Sequence, residues 1–125
     1  MLGANVIEFS TVNQTAPIII GTGKSITNSG GQCVTTGPVT TSLSGAGLYA
    51  LTAAHYYGTP ITAQGSLVQS WAADNVSNSV SIHGGYRDSI STLLAANTQY
   101  TIGFTYQWCS PAGVLPIAIV PYRQP

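Results

Sequence analysis

Residues Gly47–Tyr57 read GLYALTAAHYY, preceded by Ser44-Gly45-Ala46 and followed by Gly58. Glycine on both sides and three tyrosines within the run suit a strand better than a helix. At a period of two, Leu48, Ala50, Thr52, Ala54 and Tyr56 share one face, and Tyr49, Leu51, Ala53, His55 and Tyr57 share the other. Neither face carries a charge. An antiparallel strand with one wetted face alternates apolar and polar residues, so this pattern predicts cover on both sides. The domain's own second sheet supplies one cover. In so small a chain, another subunit is expected to supply the other.

A second stretch sets the core. Asn97–Cys109 reads NTQYTIGFTYQWC, with Tyr100, Ile102, Phe104, Tyr106 and Trp108 on one face and Thr101, Gly103, Thr105 and Gln107 on the other. This is a clean period-two alternation. Each large aromatic removes roughly 150–250 Å² from water when buried, so these five residues are the predicted core.

The chain has 125 residues, enough for one domain with a real core. Only 5% of them are charged (Glu8, Lys24, Asp74, Arg87, Asp88 and Arg123) and they sum to zero. A typical soluble domain carries about 25%. Polarity comes instead from 13 Ser, 15 Thr, 6 Asn and 7 Gln. A neutral surface with so few charges is poorly protected against association, which points to life in an assembly. Three scattered basic residues form no phosphate-tracking patch, so nucleic acid is not an expected partner. No apolar run approaches the roughly 18 residues of a spanning helix, and no membrane partner is expected. The start, MLGANVIEFS, lacks a basic n-region and a long h-region. Cys33 and Cys109 are therefore expected as thiols made in a reducing compartment, and the sequons at Asn13 and Asn75 as incidental.

Taken in order, the β-compatible segments are Val6–Phe9 (short), Ala16–Ile20, Ser25–Asn28 (a brief pairing), Gln32–Thr36, Pro38–Leu43, Gly47–Tyr57, Gly65–Ala73, Ser79–His83, Tyr86–Leu94, Asn97–Cys109 and Val114–Tyr122, which together make roughly eight strands. Gly21–Lys24 is expected to turn the chain, and Gly84-Gly85 to form a two-residue hairpin turn. Pro116 and Pro121 place the last strand at an edge or a bend. Leu93–Ala96 fits either a strand end or a short helical turn. The pattern is an all-β antiparallel sandwich of about eight strands in one domain spanning 1–125, with residues 1–15 as an N-terminal arm.

The chemical motifs are incomplete. Gly21-Thr22-Gly23-Lys24-Ser25 resembles the end of a phosphate-binding loop, but Ile18 stands where that pattern requires glycine, and no amphipathic helix follows. Leu51-Thr52-Ala53-Ala54-His55 resembles the histidine motif of trypsin-like proteases, with Asp74 or Asp88 as orienting acid. Only Ser110 offers a late nucleophile, without a GDSGG-like run, so the triad is unfinished. His55, His83, Cys33 and Cys109 lack zinc-ligand spacing, and no metal or cofactor is expected. Trp71 and Trp108 have the shape to stack on a sugar; core packing is their expected use.

The run LSGAGLYALTA (Leu43–Ala53), the strand opened by NTQYTI (Asn97–Ile102) and the terminal aliphatic strand Leu115–Tyr122 together resemble small tumour-necrosis-factor-like jelly-roll proteins of phage particles. The resemblance implies a jelly-roll homotrimer acting as a capsid decoration, head-fibre or spike protein. Its partners would be itself, the major capsid protein or other virion proteins, and possible host-surface glycans. It would be made in the host cytoplasm and carried on the virion surface. Tyr49, Leu51, His55 and Tyr57 are the expected subunit interface, since their apolar bodies carry polar tips able to bond across subunits. No enzymatic activity is expected. The competing classes are a carbohydrate-binding module and a hydrolase using His55.

Overall fold

The computed structural model describes residues 8–9, 11–26, 33–54, 61–65, 67–75, 80–87, 93–106 and 111–122. Among them the strands are β1 (Ile18–Ile20), β2 (Lys24–Ile26), β3 (Cys33–Thr40), β4 (Gly47–Ala54), β5 (Ile61–Gln64), β6 (Val68–Asn75), β7 (Val80–Arg87), β8 (Gln99–Tyr106) and β9 (Ala112–Ile119), and no helix. They form two antiparallel sheets. The larger runs β1-β9-β4-β7-β6 with β2 also on β9, and the smaller runs β3-β8-β5. The chain crosses between sheets at almost every step, which is the winding of a jelly roll. It departs from an even division because β6 pairs with β7 in the large sheet.

Expectation and structure part at several places. Residues 21–24 do not turn the chain. β1 pairs Ile18 to Ile20 with Ile119 to Ile117, and β2 continues along the same strand, pairing Lys24 to Ile26 with Val114 to Ala112. The two are one edge strand with a break, so the sandwich has eight strands in effect. β9 is not an edge: it lies between that broken strand and β4. Pro116 is tolerated there because its carbonyl accepts from Gly21 N (2.8 Å) on the side of the break. Its absent N–H would point the same way, to where the ladder is already interrupted.

Gly84-Gly85 is not a hairpin turn either. Both residues sit within β7, opposite Leu51 and Ala50 of β4 on one side and opposite a bulge between Gln69 and Trp71 of β6 on the other. A Cβ on Gly85 would stand 3.2 Å from the tip of the Phe104 ring, so the glycine makes room for the core. The two segments 32–36 and 38–43 form the single strand β3, whose Gly37-Pro38 is paired with Ile102 and Thr101. Conversely, β5 (Ile61–Gln64) lies between the expected strands Gly47–Tyr57 and Gly65–Ala73. Residues 93–95 are irregular, and Asn97 turns into β8 with φ of 51°.

The sheets meet at one corner. Thr22 N donates to Pro38 O at 3.0 Å, joining the broken edge of the large sheet to β3 of the small one. A Cβ on Gly37 would lie 2.4 Å from Thr22 O and 3.0 Å from the Pro116 ring. Only glycine allows this approach.

Between the sheets lie Leu48, Ala50 and Ala54 of β4, Ala112, Val114 and Ala118 of β9, Val39 of β3, and Ile102, Phe104 and Tyr106 of β8, all buried. Tyr100 is half-buried and packs against this cluster. Trp108, expected in the same row, lies outside the described residues, as does Cys109.

Replacing Phe104, which is 0% exposed, with Ala is expected to cost about 3–5 kcal/mol in denaturant unfolding. Gly37→Ala should cost about 1–3 kcal/mol through overpacking. A loss below about 0.5 kcal/mol in either variant contradicts the packing described.

Candidate functional site

Of the places where polar groups gather in the described structure, two lie at the sequence motifs, and the first is sealed. Tyr106 OH and Thr52 Oγ1 are hydrogen bonded across the core, and Thr52 Oγ1 also reaches Gly113 O at 2.7 Å. A carbonyl can only accept. Thr52 therefore donates to Gly113, and Tyr106 donates to Thr52. His83 stands directly across from Thr52 on β7. All three side chains are at least 95% buried, so no substrate can reach them. Burial pushes the Tyr106 phenol well above its ordinary pKa. This relay pins β8 to β4 and β9 and is structural.

The second place is the break at 21–25. Its first two backbone donors are committed, Gly21 N to Pro116 O and Thr22 N to Pro38 O, and Lys24 and Ser25 lie in the β2–β9 ladder. A phosphate cradle would need such amides free, so this segment is a structural junction. The hydrolase candidates His55, Asp88 and Ser110 lie outside the described residues, and Asp74 is placed only by its strand register, opposite Ser81. Among the described residues no group of three His, Cys, Asp or Glu could hold a metal ion.

The remaining candidate is the outer face of the large sheet. Residues directly opposite in an antiparallel pair share a face, so the register gives its rows. One row runs Ile20, Ile117, Tyr49, Tyr86 and Val68 across β1, β9, β4, β7 and β6. The next joins Leu115, Leu51 and Gly84, and a third joins Gly113, Ala53 and Ile82. Ile18 and Ile119 form the row beyond Ile20 and Ile117. Ile20 is 61% exposed, Val68 56%, Ile18 50%, Leu115 38% and Leu51 37%. No charged residue falls in these rows. Lys24 and Arg87 pair with Val114 and Leu48 and belong to the rows of the other face.

This face bears Tyr49 and Leu51 of the expected interface, while Leu48, Ala50, Thr52 and Ala54 point into the core. His55 and Tyr57 lie outside the described residues. The expected interface leaves out β9 and β1; in β9 the run VLPIAI places Leu115 and Ile117 in step, whereas β1, three isoleucines in a row, shows no alternation.

One end of the face is hollowed. Phe9 lies against Gly47, where a Cβ would stand 3.3 Å from its ring. Here lies an open apolar pocket of about 410 Å³, lined by Phe9, Val12, Pro17, Ile18, Tyr49, Ile117 and Ile119. Comparison with protein-family models, curated proteins and solved structures gives no match to this chain.

The Tyr106 relay carries a pH consequence. Above about pH 10 the unfolded tyrosine releases its proton while the folded phenol keeps it, so stability falls with rising pH. It is fully present below that value. Denaturant unfolding of the native chain between pH 8 and pH 11.5 should therefore fall more steeply than that of Tyr106→Phe; parallel curves contradict the burial of this phenol.

Proposed function

We propose that this chain is a structural virion protein, a homotrimeric jelly-roll subunit of the capsid-decoration, head-fibre or spike type, and not an enzyme. The observation that carries the proposal is the uncharged aliphatic and tyrosine-bearing outer face of the large sheet. A contiguous exposed apolar patch on a protein surface marks an interaction site. A sandwich of two layers supplies one core, so the second apolar face of β4 needs cover from outside the chain. A further copy brings the same neutral, apolar surface, and a cyclic arrangement places equivalent side chains around one axis.

The position of the resemblance to tumour-necrosis-factor-like phage proteins supports the same reading. Its segments coincide with β4 and its lead-in, the start of β8, and β9. Two of these, β4 and β9, are neighbours at the middle of the large sheet. The low charge of the chain fits permanent residence in an assembly, with virion proteins such as the major capsid protein as further partners. The fold by itself fixes no function; the exposed face and the composition carry the argument.

Light scattering coupled to size exclusion at micromolar concentration is expected to give three times the 12.9 kDa chain mass. Tyr49→Asp, which puts an unpaired charge into the contact of every copy, should dissociate it. A monomeric native chain contradicts trimeric assembly. Genes for a major capsid protein and a portal are the expected genomic neighbours, and a neighbourhood of metabolic genes contradicts the virion assignment.

A further inference from the structure

The pocket beneath residues 9–17 extends the outer face beyond the residues first expected to mediate contact. Its floor is Ile18, Ile117, Ile119 and Tyr49, and its wall is Phe9, Val12 and Pro17. The rim is built, not draped. Asn13 N donates to Val120 O at 2.9 Å, Val120 N to Pro17 O at 2.8 Å, and Tyr122 N to Thr11 O at 2.6 Å, with Val12 bridged to Pro121. The Asn13 side chain accepts from Thr15 N and Ala16 N, both at 2.8 Å, and so holds the bend between wall and floor. A pocket fixed in this way has little ordering cost left when something enters it.

We infer that this pocket is a receptor for apolar side chains of a second copy of this chain, so that Phe9 and the segment 11–17 belong to the subunit interface together with the sheet face. The inference rests on the self-association reading and deepens it. Three observations favour a second copy as the occupant. The pocket is continuous with the exposed face through Tyr49 and Ile117, which belong to both. Its lining is uncharged throughout, with the Tyr49 hydroxyl as its one side-chain polar group, so a charged or strongly polar ligand would lose its hydration without a partner. Finally, the chain presents the matching surface itself: Ile20 and Val68 project from opposite ends of the same row, 61% and 56% exposed. A cyclic, head-to-tail contact brings different parts of this face together, a projecting edge of one copy against the hollowed end of the next.

Two variants of the full chain test this, one removing the wall (Phe9→Ala) and one filling the hollow from the exposed edge strand (Ile18→Trp). Dissociation constants come from sedimentation velocity over a dilution series, with circular dichroism confirming that each variant keeps its strands. Both variants are expected to weaken association about tenfold or more, the size of loss that truncating a well-packed contact produces. Native assembly with both variants within about twofold of it overturns the inference while leaving self-association standing. A native chain monomeric at the highest concentration reached removes the self-association reading, and this inference with it. Binding of anilinonaphthalene sulfonate to the native assembly, lost in Ile18→Trp, would show the pocket open and overturn it as well.

Discussion

The structure depends on β8 lying across the inner face of the large sheet. Ile102, Phe104 and Tyr106 fill the space above Leu48, Ala50, Val114 and Ala118, and the apolar area they bury is the main term holding the sheets together. Two exceptional features of the large sheet follow from this contact. Gly85 has no side chain because the Phe104 ring occupies that space. Thr52 is polar at a core position because Tyr106 donates to it and it donates onward to Gly113, so that both buried hydroxyls are hydrogen bonded.

The same geometry creates the exposed face. The small sheet has three strands and the large sheet six. The small sheet can cover only one side of the larger one. A strand covered on one side would ordinarily turn polar residues to the other, yet β4, β9, β1 and β7 turn out Tyr49, Leu51, Leu115, Ile117, Ile18, Ile20 and Tyr86. Their exposure costs roughly 25 cal/mol for each Å² left in water. Placing a neutral apolar surface against another of its kind recovers that cost. The scarcity of charge across the whole chain removes the repulsion that would keep two such surfaces apart.

Residues 11–17 and Phe9 join the two themes. Thr11, Asn13 and Pro17 are hydrogen bonded through the backbone to Val120 and Tyr122, just past β9, and Phe9 lies against Gly47 on the outer face. The glycine that opens β4 is thus a seat for the Phe9 ring. Phe9, Val12 and Pro17 are part of the face and give it relief.

What the sequence alone determined was set by period two. Alternation in Gly47–Tyr57 separated Leu48, Ala50 and Ala54 from Tyr49 and Leu51, and alternation in Asn97–Cys109 identified Ile102, Phe104 and Tyr106, because successive side chains of any strand point to opposite faces. The sandwich class followed from the number and spacing of such runs. Tertiary structure decided the rest. Gly84-Gly85 has the composition of a turn and became mid-strand because a ring from β8 and a bulge in β6 needed the space. Pro116 has the composition of an edge and became interior because the neighbouring strand breaks opposite it. Gly21 to Lys24 look like a reversal, and instead carry one edge strand past that break and tie it to β3. In each case the deciding partner lies far along the chain, so its steric demand and its hydrogen bonds exist only once the sheets have met.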